Sequence, residues 1–165
     1  MSGSIILIIL LALSGLGISF YYMKRVMSVP LDLGLNKEES DKLKFIHGAI
    51  AEGAMAFLKQ EYRVLFFFMA AFAVVIALLT DNHETDAANE GVWTAVAFAF
   101  GALISVLSGY IGMVVATAGN ARTTVSARNS LADAFVVALN SGAVMGFALV
   151  GLATLGLILI FLFMS

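Results

Sequence analysis

Acids, bases and buried amides are the side chains that move ions or act on phosphates, and this chain keeps nearly all of them out of its apolar runs. It has 11 Asp and Glu, 9 Lys and Arg and 2 His among 165 residues. An ion path across a membrane needs an ionisable or strongly polar group at depth. Asn140 is the one amide well inside an apolar run, and it reads as an interhelical hydrogen-bonding residue. Phosphate chemistry with Mg²⁺ needs converging carboxylates. Asp32, Glu38, Glu39, Asp41, Glu52, Glu61 and Asp133 show no D-x-x-x-D spacing that would pair two of them on one helix face. No G-x-x-x-x-G-K-[ST] loop is present. Without Cys there is no thiol chemistry and no disulfide, and with only two His a zinc site is not expected. The expectation is a chain with no catalytic, cofactor or metal site of its own.

Two arginines remain. Arg122 and Arg128 lie in Gly119–Gly156, a stretch that begins as a short polar hinge and continues as a glycine-studded apolar helix. One reading is cytoplasmic anchoring, with pairing to Asp133 or to acids on the second helix. The other is electrostatic support for an anionic substrate. Anchoring is favoured, because basic residues are expected in such a connection in any case.

The elements that hold these residues are membrane helices. Hydrophobic residues make up 61% and charged residues 12%, against about 45–50% and about 25% in a soluble domain. The fold class is all-α, a polytopic membrane protein with four transmembrane helices in one membrane region. The spans are expected at about 4–23, 62–79, 91–118 and 134–163. The first, Ser4–Met23, is free of charge and long enough for a roughly 30 Å core. A secretory signal is the competing reading, but the first basic residue, Lys24, follows the apolar run. Pro30 and Gly34 punctuate the next connector.

An amphipathic helix is expected at about 36–63, with Asn36 as N-cap and Glu38 and Glu39 in its first turn. Its apolar stripe is read from Leu43, Ile50, Phe57 and Val64, widened by Ile46, Ala54 and Leu58. It has no stop before the second span, so both form one long or once-bent helix. A loop at Thr80–Glu90 carries acids and no bases. The third span is longer than the core and must tilt or protrude. Ser130 and Asp133 have capping-box spacing before the fourth.

All nine Lys and Arg fall between the first apolar run and the second, which starts at Val64, or between the third and the fourth. Positive residues stay in the cytoplasm, so the expected orientation is N-out and C-out, with a long cytoplasmic extension on the second helix. His47 and His83 then lie on opposite sides and share no site. His47 reads as a surface or packing residue. The bases form no stripe, so no nucleic-acid partner is expected. Close helix packing is expected at Ser105, Gly109 and Gly112, at Ser108, which is four before Gly112, at Asn140, and at the G-x-x-x-G pair Gly142 and Gly146, with Gly151 and Gly156 continuing that surface.

Two stretches carry a resemblance. Ile50–Leu65, IAEGAMAFLKQEYRVL, is similar to the E-G-A-x-A-[FY]-L-x-x-[EQ]-Y stretch of membrane-integral pyrophosphatases. Ala121–Leu157 resembles their R-T-x-x-A-R-x-S-L segment and the G-A-V-M-G-[FL]-x-x-V-G-L helix that follows it. The chain as a whole resembles the first four helices of that family.

The resemblance implies a sixteen-helix dimeric pump. Such a pump hydrolyses pyrophosphate with Mg²⁺ at its cytoplasmic side and moves H⁺ or Na⁺ outward. The family's acidic motifs and ion gate lie in later helices, so no catalytic residue is carried over to this chain. Implied partners are the lipid bilayer and the remaining helices of the pump or a second protomer, with pyrophosphate only in the complete enzyme. The implied location is a bacterial or archaeal cell membrane. This reading makes the chain a fragment or one piece of a split protein. The alternative is a stand-alone, non-enzymatic membrane assembly protein derived from the family. A small channel or carrier is the weakest reading, because the spans lack charge.

Overall fold

A computed structural model describes residues 2–32, 34–80 and 90–164. Four helices follow one another: α1 (Ser2–Met27), α2 (Lys37–Leu79), α3 (Glu90–Ser126) and α4 (Leu131–Met164). Each is long and apolar enough to cross a membrane. Among the described residues there is no strand. The protein is an all-helical integral membrane protein.

Local chemistry sets most helix boundaries. α1 runs past its apolar stretch and ends with Lys24 and Arg25 in its last turn, where cations complement the helix dipole. Gly34, in the connector that follows, has φ +67, a left-handed conformation that side chains with a Cβ rarely adopt. α2 opens with a full capping box. Asn36 Oδ1 accepts from the Glu39 N–H at 2.9 Å, and the Asn36 N–H donates to Glu39 Oε2 at 3.2 Å. It then continues for 43 residues without a break, about 64 Å at the usual rise. The amphipathic stretch and the second span are therefore one helix, as expected. The acidic loop expected at Thr80–Glu90 lies, at 81–89, outside the described residues, and His83 with it.

The polar hinge expected from Gly119 onward is helical. α3 carries through to Ser126, and the turn is confined to 127–130. Thr124 Oγ1 donates to the Asn120 carbonyl at 2.9 Å, and Arg122 Nη1 donates to the Ala118 carbonyl at 3.0 Å. The polar residues thus bond within the helix instead of interrupting it. Ser130 Oγ accepts from the Asp133 N–H at 3.0 Å and caps α4, as the spacing suggested.

The helices pack in the order α2, α3, α4, α1, with α1 turned back far enough to touch α3. Helix α2 meets α3 and no other described helix. The buried apolar side chains are nearly all Val and Ala; Val26, Val125 and Val144 are each 1% exposed. Phe66, Phe67, Phe135, Leu157 and Phe163 point outward. A soluble core places its large side chains inside. Here small residues bring the backbones close, while bulky apolar ones face the surroundings, as expected where lipid is as apolar as leucine.

Candidate functional site

One polar contact ties the start of α2 to the turn where α3 gives way to α4. Arg128 Nη1 lies 2.8 Å from Glu39 Oε2, with both side chains roughly half exposed. It is the one ion pair among the described residues, and it is one of the two pairings expected for Arg128. The Asn36 N–H and then Arg128 hold the Glu39 carboxyl below the usual carboxylate range. Neighbouring residues are buried: Ser40 on α2, Val125 and Ser126 on α3. Arg122 is half buried, donates one nitrogen to its own helix and leaves Nε without a partner among the described residues, whereas Arg128 pairs with Glu39. His47 is half buried.

The residues singled out for packing divide sharply. Gly109 lies under Tyr62 of α2, whose hydroxyl would be 2.9 Å from an added Cβ. That hydroxyl donates to the Val106 carbonyl at 2.8 Å, so α2 is tethered to α3 where its charged part ends. Gly112 lies against the Met145 side chain. Ser105 is exposed, and its neighbour Ser108 is buried with an unpartnered Oγ. Asn140 is 8% exposed, and the described residues give its side chain no hydrogen bond. Gly142 and Gly146, the spaced pair, have nothing within 4 Å of an added Cβ.

The close approaches on α4 are elsewhere. A Cβ added at Gly151 would lie 2.8 Å from Leu16 and 3.1 Å from the Ala12 carbonyl, and one added at Gly156 would run into Ile104. Gly119 meets Ser141 of α4. It was assigned to a hinge in the sequence. The signal that could have revealed it is its seven-residue spacing from Gly112, the same helix face two turns on. Between α1 and α4, buried Ser19 Oγ donates to the Val144 carbonyl at 2.9 Å, a bond typically worth about 0.6 kcal/mol in a membrane.

The stripe expected on α2 is also shifted. Ser40, Leu43, Ala54, Leu58 and Tyr62 are wholly or partly covered, whereas Ile46, Ile50, Phe57 and Val64 are exposed. Leu43, Ala54 and Leu58 of the expected stripe are therefore covered, while its other members are not.

Two lateral grooves complete the surface. One, of about 350 Å³, lies between the start of α3 and the end of α4, walled by Trp93, Val96, Phe100, Leu159 and Phe163 among others. The second, of about 320 Å³, lies between α1 and α3 and includes Leu16, Phe20, Tyr110 and Val144. Neither brings a carboxylate or a cation into the groove. Among the described residues, no three His, Asp or Glu side chains converge in a metal-binding group. Glu39 is committed to Asn36 and Arg128. The arrangement orients helices.

A family model described as inorganic H⁺ pyrophosphatase matches residues 13–165. The chain belongs to that family. It corresponds to an N-terminal portion of the family's membrane protein. "K(+)-insensitive pyrophosphate-energized proton pump 2" of Moorella thermoacetica is 45% identical over 120 residues, covering 73% of this chain and 16% of that protein. A "K(+)-insensitive pyrophosphate-energized proton pump" of Chloroflexus aurantiacus is 33% identical over 168 residues, covering 94% of this chain and 21% of its own length. A relative from Bacteroides thetaiotaomicron, whose name proposes a K(+)-stimulated pyrophosphate-energized sodium pump, is 33% identical over 137 residues, 83% of this chain and 17% of that protein. The chain thus spans 16–21% of the length of these curated relatives.

Proposed function

We propose that this chain is the outer, helix-packing part of a pyrophosphate-energised H⁺ or Na⁺ pump, and that it is not catalytic alone. One observation carries the reading most strongly. The family match covers nearly the whole chain, yet among the described residues the acids form no metal-binding group and the one ion pair joins the start of α2 to the α3–α4 turn. The orientation is N-out and C-out, with the nine bases and the charged part of α2 on the cytoplasmic side. The spans lie at about 4–23, 62–79, 91–118 and 134–163, within one membrane region.

In this reading Gly109, Gly112 and buried Asn140 pack the four helices. Ser105, Gly142 and Gly146 face further helices of the pump or a second protomer. Arg122 and Arg128 anchor the cytoplasmic end. Lipid covers part of the exposed Phe and Leu surface. In the complete enzyme Mg²⁺ would neutralise pyrophosphate charge; the described residues of this chain do not fit that ion.

The test is pyrophosphate hydrolysis by the purified chain in lipid with Mg²⁺. The expected rate equals the protein-free blank. Robust Mg²⁺-dependent hydrolysis would sink the proposal.

A further inference from the structure

We infer that Glu39 and Arg128 form a polarity-locked clasp that positions the charged part of α2 on the α3–α4 turn. The inference stands apart from the pump reading. It follows from three features of one contact.

The first feature is connectivity. α2 packs on α3 alone among the described helices. Arg128 lies in the turn leading to α4, so its 2.8 Å bond to Glu39 ties the start of α2 to the turn itself. The second polar tether of α2, Tyr62 to Val106, sits 23 residues further along, about 35 Å at the usual rise. The charged stretch between them is held at both ends.

The second feature is shared use of one carboxylate. Glu39 Oε2 accepts from the Asn36 N–H and from Arg128 Nη1. The same oxygen closes the capping box and makes the ion pair. Ser40, Val125 and Ser126, next to the pair in sequence, are buried, while the charged ends stay half exposed.

The third feature is direction. Glu39 is in the first turn of α2, at the positive end of its dipole, where its carboxylate also closes the capping box. Arg128 lies two residues beyond α3 and three before α4, between the negative end of one dipole and the positive end of the next. Exchanging the two would preserve the pair, put a cation at the positive end of α2 and lose the capping box. A simple ion pair tolerates that exchange, whereas a polarity-locked clasp does not.

Amide hydrogen exchange on the full chain in lipid nanodiscs tests this, read at Glu39 and Ser40, with α3 amides 106–118 as the control for folding. Glu39→Gln keeps an acceptor for the capping box and loses the pair. It and Arg128→Gln should each exchange about two- to fivefold faster, and the double variant should exchange no faster than the faster single. Glu39→Ala also loses the box and should be about fivefold faster than Glu39→Gln. The swap Glu39→Arg with Arg128→Glu should stay at least as fast as Arg128→Gln. Parental exchange in both single variants would overturn the clasp. So would a swap that restores parental exchange, or an Arg128→Gln variant that loses the α3 protection, since Arg128 would then be holding the fold at large.

Discussion

Helix α4 contains two pairs of glycines that do different work. Gly142 and Gly146 have the spacing of a close-packing motif, and an added Cβ at either would meet nothing. Gly151 and Gly156 are spaced by five, and both are pressed by neighbours, Leu16 and Ala12 on one side and Ile104 on the other. Spacing sets which face of a helix a residue occupies. Whether that face is used depends on what the neighbouring helix presents. At Gly151 the α1 backbone itself comes close, so little can yield. At Gly156 the obstacle is the free end of an isoleucine, which can rotate away.

The largest effect expected from this contrast comes from filling the occupied sites. Gly151→Val and Gly119→Val should each destabilise the four-helix chain by about 2 kcal/mol through overpacking. Gly156→Val should cost less. Gly142→Ala and Gly146→Ala should be neutral or stabilise by about 0.5 kcal/mol, since alanine is the better helix former. Reversible unfolding in mixed micelles reads all five, and a Gly142→Ala cost as large as that of Gly151→Val would erase the difference between the pairs. Repeating Gly142→Ala and Gly146→Ala within a complete pump sharpens the comparison, because a further helix lying there would turn a neutral change into a costly one.

A smaller effect separates the two tethers of α2. Tyr62→Phe removes the bond to the Val106 carbonyl while leaving the ring over Gly109. It should cost about 0.6 kcal/mol in the same unfolding assay. Loss of as much as Gly151→Val would show that the hydroxyl, and not the packing, holds α2.

The smallest effect is pH dependence at the other tether. The carboxyl of Glu39 titrates below its ordinary 4.5 in the folded chain. Its contribution is therefore complete above about pH 4.5 and is lost as pH falls through the lowered folded value. Exchange at Ser40, corrected for intrinsic rates, should be flat from pH 6 to 8 and rise on acidification below the carboxylate range. Glu39→Gln should abolish that rise.

Much of the fold was legible because its signals are local. Charge-free runs, the Asn36 and Ser130 caps and the distribution of Lys and Arg each depend on a few adjacent residues. Pairing between helices was harder to read. Arg128 could be assigned to acids of the second helix by charge, but Glu39 could not be chosen from its neighbours without the geometry. The stripe on α2 was legible only in part: Leu43, Ala54 and Leu58 are covered while Ile46, Ile50, Phe57 and Val64 are exposed, because hydrophobicity alone does not say which apolar residues meet α3. Gly119 was obscured by its polar neighbours, which turned out to be compatible with an unbroken helix. Asn140 is buried, and the described residues give its side chain no hydrogen bond, a partner that the sequence could not name in any case.

The central claim is that this segment contributes packing to a pump whose chemistry is elsewhere. The most direct measurement is Mg²⁺-dependent pyrophosphate hydrolysis by a chimera, in which the matched segment of the Moorella thermoacetica relative is replaced by its counterpart from this chain. The account predicts hydrolysis close to the parental rate once the chimera reaches parental levels in the membrane. A chimera that assembles to those levels and hydrolyses nothing would contradict it.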